Sequence, residues 1–104
     1  MSGPVNKGYI FAELDVTDEA YFHREYMPRV EPVLEAYGAK FLIRGGNPAV
    51  IEGGREVKRV VLLEFESLAR AKDFYFSPAY QDVIGYRFDS SEAHLYIMEG
   101  GSVD

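Results

Sequence analysis

A chain of 104 residues, 47% of them hydrophobic, fits one domain; a domain of that size buries only roughly two-thirds of its unfolded surface, so self-association would help it. With no cysteine, disulfides, thiolate metal sites and cysteine nucleophiles are excluded. Eleven Lys and Arg residues scattered through a chain of net charge −6 leave no basic stripe for nucleic acid, the residues after Met1 lack the apolar core of a signal peptide, and no run approaches the ~20 residues of a membrane span, so a cytoplasmic location is expected.

From Lys7 to Val16 the chain alternates, Ile10, Ala12, Leu14 and Val16 against Tyr9, Phe11, Glu13 and Asp15, which is the period of a strand. Thr17 or Asp18 caps the next element, and Asp18 and Glu19 suit a helix N-terminus. Apolar positions at Phe22, Tyr26, Val30, Val33 and Tyr37 follow a helical period, interrupted by Pro28 and Pro32, each of which removes a backbone donor. Gly38 stops this helix. Lys40 to Arg44 reads as a second strand, ended by a Gly45-Gly46 turn, with Ala49 to Glu52 as a candidate edge extension and Gly53-Gly54 as a hairpin turn.

Arg59 to Phe65 is the third strand. Ser67 caps a helix that buries Leu68, Ala71, Phe74 and Tyr75. Ser77 caps another, with Pro78 at its first position, where the missing N–H costs nothing. That second helix presents Tyr80, Val83, Ile84 and Arg87, and Gly85 weakens its end. Ala93 to Glu99 is the last strand, and residues 1–6 and 100–104 are expected to be flexible tails. The order is β-α-β-β-α-β with an extra short helix before the last strand. It predicts an α+β, ferredoxin-like sandwich with an antiparallel sheet and its helices on one face.

Strand periodicity then divides the sheet. One face collects Ile10, Ala12, Leu14, Phe41, Ile43, Val61, Leu63, Phe65, Leu95 and Ile97. The other collects Tyr9, Phe11, Glu13, Leu42, Arg44, Val60, Leu62, Glu64, His94, Tyr96 and Met98. A solvated face would be mostly polar, whereas this second one is largely apolar, which predicts a second copy of the chain packed against it.

The segments K-G-Y at 7–9, Y-G-A-K-F-L-I-R-G-G at 37–46, R-V-V-L-L-E-F-E-S-L at 59–68, F-Y-F-S-P-A-Y-Q at 74–81 and Y-I-M-E-G at 96–100, together with Tyr21, Tyr26 and Pro28, span almost the whole chain. In these the sequence resembles the bacterial domain-of-unknown-function family 1330, within the dimeric α+β barrel superfamily. The resemblance implies a ferredoxin-like protomer paired sheet to sheet as a homodimer, and no established reaction. Phe74-Tyr75 stands where the family would have Trp-Tyr, and Glu66 where it commonly has proline.

Two groups of residues are candidates for chemistry. Glu13, Glu64 and His94, with Arg44, share the second face; paired carboxylates in a partly apolar cleft can serve as acid and base, with Arg44 holding an anion. The same residues also make sense as a charge network satisfied across a dimer interface. Tyr9, Tyr26, Tyr75, Tyr80 and Tyr96 are candidates to line a ligand pocket, or to serve as core and interface packing. Glu19 and His23, four apart, read as a helix-surface pair rather than a metal site. No nucleophile elbow or phosphate loop is present, and no cofactor or metal is expected. Superfamily analogy suggests a cofactor-free enzyme of isomerase or monooxygenase type, with Glu64, Glu13 or His94 as base. A non-catalytic ligand-binding, regulatory or structural homodimer is the alternative.

Overall fold

Four strands alternate with two helical blocks in the computed structural model, which describes residues 6–101. The strands are β1 (Gly8–Val16), β2 (Lys40–Gly46), β3 (Arg59–Phe65) and β4 (Ser91–Glu99). They form one sheet in the order β2-β3-β1-β4, with every neighbouring pair antiparallel. The first helical block holds α1 (Glu19–Tyr21), a π-turn (Phe22–Tyr26) and α2 (Met27–Ala36). The second holds α3 (Leu68–Phe76), α4 (Pro78–Gln81) and α5 (Ile84–Phe88). Among the described residues no helix is long and apolar enough to cross a membrane.

The alternation in β1 does what its period requires: Gly8, Ile10, Ala12 and Leu14 are buried and the residues between them are half-buried. The buried set joins Leu63 and Phe65 of β3 to Phe22, Tyr26, Val30 and Leu34 of the first block and Ala71, Phe74, Tyr80 and Ile84 of the second, forming one core. The helices therefore cover one face of the sheet, and the other face is open.

Strand β2 departs from the expected alternation. Phe41 pairs with Leu63, but Ile43 pairs with Leu62 and Arg44 with Val61, so Leu42 is an extra residue, a β-bulge. The inserted residue reverses the facing of everything after it. Ile43 moves to the open face and Arg44 to the helix face, the opposite of what strict alternation assigns to both. Beyond Gly46 the expected edge segment at 49–52 does not form. Asn47 turns into the left-handed region at φ 59°, and its N–H donates to the Lys58 carbonyl at 2.8 Å, closing the base of a loop that turns through Gly53 and Gly54. The chain thus leaves the sheet at Asn47 and rejoins it at Arg59.

Local chemistry sets the helix ends. Asp18 caps α1 by accepting from the Tyr21 N–H at 3.1 Å, and Ser67 caps α3 by accepting from the Arg70 N–H at 3.1 Å. Ser77 works in both directions: its Oγ donates to the Phe74 carbonyl at 2.7 Å, ending α3, and accepts from the Tyr80 N–H at 3.0 Å, starting α4. Pro28 cannot donate to the Arg24 carbonyl four residues back, and its ring crowds that carbonyl. The helix answers with a wider turn just before it, in which the Met27 N–H reaches five residues back to the Phe22 carbonyl. Pro32 is accommodated within α2.

The single short helix expected before the last strand is two, parted at Asp82 and Val83, with Gly85 inside α5 rather than at a helix end. Of the expected tails, 1–5 and 102–104 lie outside the described residues. Gly100 is tied down, its N–H donating to the Lys7 carbonyl at 2.8 Å.

Gly8 is where β1 meets the cap of α3. A Cβ there would lie 2.3 Å from the Ser67 carbonyl oxygen, inside backbone that cannot swing aside, whereas at Gly45 a Cβ would meet nothing within 4 Å. Gly8→Ala should therefore destabilise the fold by about 1–3 kcal/mol. Gly45→Ala should change stability by no more than about 0.5 kcal/mol. Urea denaturation of the two variants checks this, and equal effects would show that the β1–α3 contact does not constrain the fold.

Candidate functional site

Between the helix face of the sheet and the two helical blocks lies a cavity of about 300 Å³. Its walls are apolar: Ile10, Ala12 and Leu14 of β1, Val61 and Leu63 of β3, Leu95 of β4, and Phe22, Val30, Leu34 and Phe74 from the helices. The π-turn contributes to this arrangement by bringing Phe22, His23 and Tyr26 from one widened turn to the cavity.

Polar groups enter the cavity lining in two places. Inside, the hydroxyls of Tyr26 and Tyr80 lie 2.8 Å apart, and Arg87 Nε donates to the Tyr80 hydroxyl at 3.2 Å. Tyr26, Tyr80 and Arg87 are all buried, Arg87 at 5% exposure. No carboxylate among the described residues is ion-paired with Arg87. A guanidinium stays protonated at any physiological pH, so a net positive charge sits in the core. Burial works against that charge, and the oxygens of Tyr80, Tyr26 and Tyr75 more than offset it, leaving the Arg87 pKa raised. Besides Tyr80, the guanidinium adjoins the Tyr26 hydroxyl and lies 5.1 Å from the Phe88 ring centroid, and no side-chain nitrogen among the described residues is both fully enclosed and unpartnered. Burial, and then the neighbouring Tyr80 hydroxyl, raise the Tyr26 pKa well above the ordinary tyrosine value, which keeps Tyr26 a neutral hydrogen-bonding group. Tyr75 stacks obliquely on Tyr80, with ring centroids 5.5 Å apart.

The second polar place is the rim, where the exposed His23 and Arg44 and the half-buried Arg59 stand. Glu19 connects two of them, with Oε2 3.0 Å from His23 Nε2 and Oε1 3.7 Å from Arg59. Arg44 lies over the Phe41 ring at 4.1 Å, a cation–π contact that aligns it along the wall.

The structure thus divides the residues singled out from sequence. Tyr26, Tyr75, Tyr80 and Arg44 line the cavity. Tyr9, Glu13, Glu64, His94 and Tyr96 lie on the open face of the sheet. Arg44 does not join the carboxylates there, because of the β2 bulge. Glu13 and Glu64 are not neighbours either: Glu13 sits opposite Val60 and His94, and Glu64 opposite Tyr9, four positions along β1. That is about 13 Å of strand. Glu13 is instead paired with Arg55 of the 47–58 loop. Glu64 accepts from the Tyr9 hydroxyl at 3.1 Å, and this hydrogen bond is the main reason the Tyr9 pKa is raised. Phe11 and Tyr96 meet on the same face at 6.3 Å.

Arg87 was legible only as one of a run of helix positions, and its role at the cavity was not assigned. The signal was nonetheless there: Tyr80, Val83, Ile84 and Arg87 follow a helical period, which sets a cation on an otherwise apolar stripe.

Comparison with known proteins identifies relatives of the same kind. The family model described as Domain of unknown function (DUF1330) matches residues 7–101. Among solved structures, a protein of unknown function from Rhodopseudomonas palustris superposes with a TM-score of 0.73 at 15% identity, over 94% of this chain and 85% of that one. The solution structure of a hypothetical Arabidopsis thaliana protein gives 0.59 at 13% identity, over 99% and 94%. A conserved protein of unknown function from Bacteroides thetaiotaomicron, described as a possible oxidoreductase, gives 0.55 at 8% identity, over 91% and 98%. At these identities the likeness is one of fold. No curated protein matches the sequence.

The buried tyrosine pair has a consequence for stability. With the folded-state pKa of Tyr26 raised, the unfolded chain loses its tyrosine proton first as pH rises, near pH ~10. Its contribution is therefore complete below that pH and is lost as the pH climbs from there through the folded-state pKa. Thermal melts from pH 8 to 11 should show the wild-type melting temperature falling more steeply than that of Tyr26→Phe. Parallel curves would mean that Tyr26 titrates alike in both states.

Proposed function

We propose that this chain, which belongs to the DUF1330 family, is a homodimeric small-molecule-binding protein whose ligand occupies the cavity between sheet and helices. The observation that carries the reading is the cavity's composition: apolar walls and a small, convergent set of hydrogen-bonding groups at one place. That is the usual make-up of a ligand site, and about 300 Å³ is at the small end of such sites, suited to a compact organic molecule. The strand order and the helices on one face support the ferredoxin-like description of the protomer.

The dimer is argued from the open face. Leu42, Ile43, Tyr96 and Met98 are exposed there, and Phe11, Val60 and Leu62 are only half-buried. An apolar surface spread across four strands favours burial against another apolar surface, and a second copy of the same face is self-complementary under two-fold symmetry. Glu64, with Tyr9, and Glu13, with Arg55, would then fall inside the interface together with His94.

A second reading, cofactor-free proton-transfer catalysis, draws on the rim. Glu19 holds the His23 ring at 3.0 Å, an arrangement in which a carboxylate fixes an imidazole's orientation beside a cavity. Glu13, Glu64 and His94 lie across the sheet from the cavity, so as bases they would need a substrate bound on the open face instead.

Two experiments test the binding reading. Ala12 lines the cavity, so Ala12→Leu should fill part of it and weaken binding of a small apolar probe such as benzyl alcohol at least tenfold, while the protein stays folded. Unchanged binding would place the ligand elsewhere. By light scattering, the 11.8 kDa chain should have the mass of a dimer, and Leu62→Glu should shift it to monomer. A variant that remains dimeric would remove the open face as the interface.

A further inference from the structure

We infer that the cavity takes a monocarboxylate with an apolar body, its carboxylate seated on the Nη groups of Arg87 beside the Tyr26–Tyr80 hydroxyl pair. The inference rests on the cavity being the binding site and adds the chemical class of what it binds.

Arginine is seldom buried to 5% exposure without a carboxylate, because removing the charge from water is costly unless it is matched. Here its Nε donates to Tyr80 at 3.2 Å and the Tyr26 hydroxyl adjoins the guanidinium, so most of its five donors have no acceptor among the described residues. Arg87 lines the cavity, so the donors of its guanidinium that the two tyrosines leave unused are available to a ligand there. A planar fork of donors matches a carboxylate in two parallel hydrogen bonds.

The surroundings fix the rest of the ligand. One buried cation balances one negative charge, so a dianion would leave a net charge in an apolar enclosure. The hydroxyls of Tyr26 and Tyr80, 2.8 Å apart, leave a proton to donate toward a further oxygen. Beyond these groups the walls are Ile10, Ala12, Val30, Leu63 and Phe74, which offer nothing to a polar tail and suit an aliphatic or aromatic one. The rim cations Arg44 and Arg59 bias entry toward anions. Arg59 already faces Glu19 at 3.7 Å, and Arg44 is exposed, so neither matches the buried fork as the final seat.

The test titrates benzoate, benzyl alcohol and phenyl phosphate into the full chain, following methyl and amide resonances. Benzoate should shift cavity-lining residues and bind at least tenfold more tightly than benzyl alcohol, a difference of about 1.4 kcal/mol. Phenyl phosphate as its dianion should be the weaker of the two anions. Arg87→Met should abolish the preference for benzoate over benzyl alcohol. Should that variant not fold, Tyr80→Phe, which removes the hydroxyl that positions Arg87, should reduce the preference in the same direction. If benzoate and benzyl alcohol bind equally in the cavity, the cavity reading stands and the carboxylate inference fails. Phenyl phosphate binding as tightly as benzoate also overturns the assignment to carboxylates. If none of the three perturbs the cavity, both the inference and the reading beneath it fail.

Discussion

A positive charge enclosed in a core, with no carboxylate of the described residues paired to it, is the constraint around which this molecule is organised. Arg87 is kept in place by its hydrogen bond to Tyr80, by the adjoining Tyr26 hydroxyl and by the Phe88 ring, and Tyr80 is kept in place by Tyr26 and by the Ser77 cap on its own helix. Ser77 in turn is where α3 ends and α4 begins. The groups that satisfy the charge are therefore the groups that set the path of the second helical block. Tyr26 reaches them from the first block because Pro28 forces a wide turn there. Both blocks converge on one polar point, and the cavity is the space left around it.

The sheet separates this chemistry from a different one. Its helix face is the wall of an enclosed apolar space. Its open face combines exposed apolar side chains with Glu13, Glu64 and His94. The carboxylates there are distributed along β1 and β3 rather than gathered, and each already has a protein partner: Arg55 for Glu13, Tyr9 for Glu64. Such an arrangement fits a surface that must be both apolar and specific, since charges placed at intervals penalise wrong registers of association. The two proposed roles, ligand binding and self-association, thus fall on opposite faces of one sheet.

Much of the fold was legible because it follows short-range rules. The alternation of β1, the caps at Ser67 and Ser77, and the limits of β3 follow from spacing alone, while the first helix cap is narrowed by spacing to Thr17 or Asp18 and is Asp18. The misplacements share a physical cause. An insertion of one residue in β2 is invisible to a strict two-residue period, yet it moves Ile43 to one side of the sheet and Arg44 to the other. Likewise, sharing a face says nothing about distance along it: central strands β1 and β3 suggest Glu13 and Glu64 as nearest neighbours, yet they stand four positions apart along β1. The candidate site was half legible. Its tyrosines stood out as a residue class, and Tyr26, Tyr75 and Tyr80 do line the cavity. Arg87 did not stand out, because a lone cation on a helical stripe acquires meaning only when the absence of a partner around it is known.

The most direct test of the central claim is a crystal structure of the protein grown with benzoate. The benzoate ring should lie among Ile10, Val30 and Phe74, with its carboxylate oxygens at about 2.7–2.9 Å from the Nη atoms of Arg87. Benzoate held only at Arg44 or Arg59 on the rim, or bound on the open face of the sheet, would contradict it.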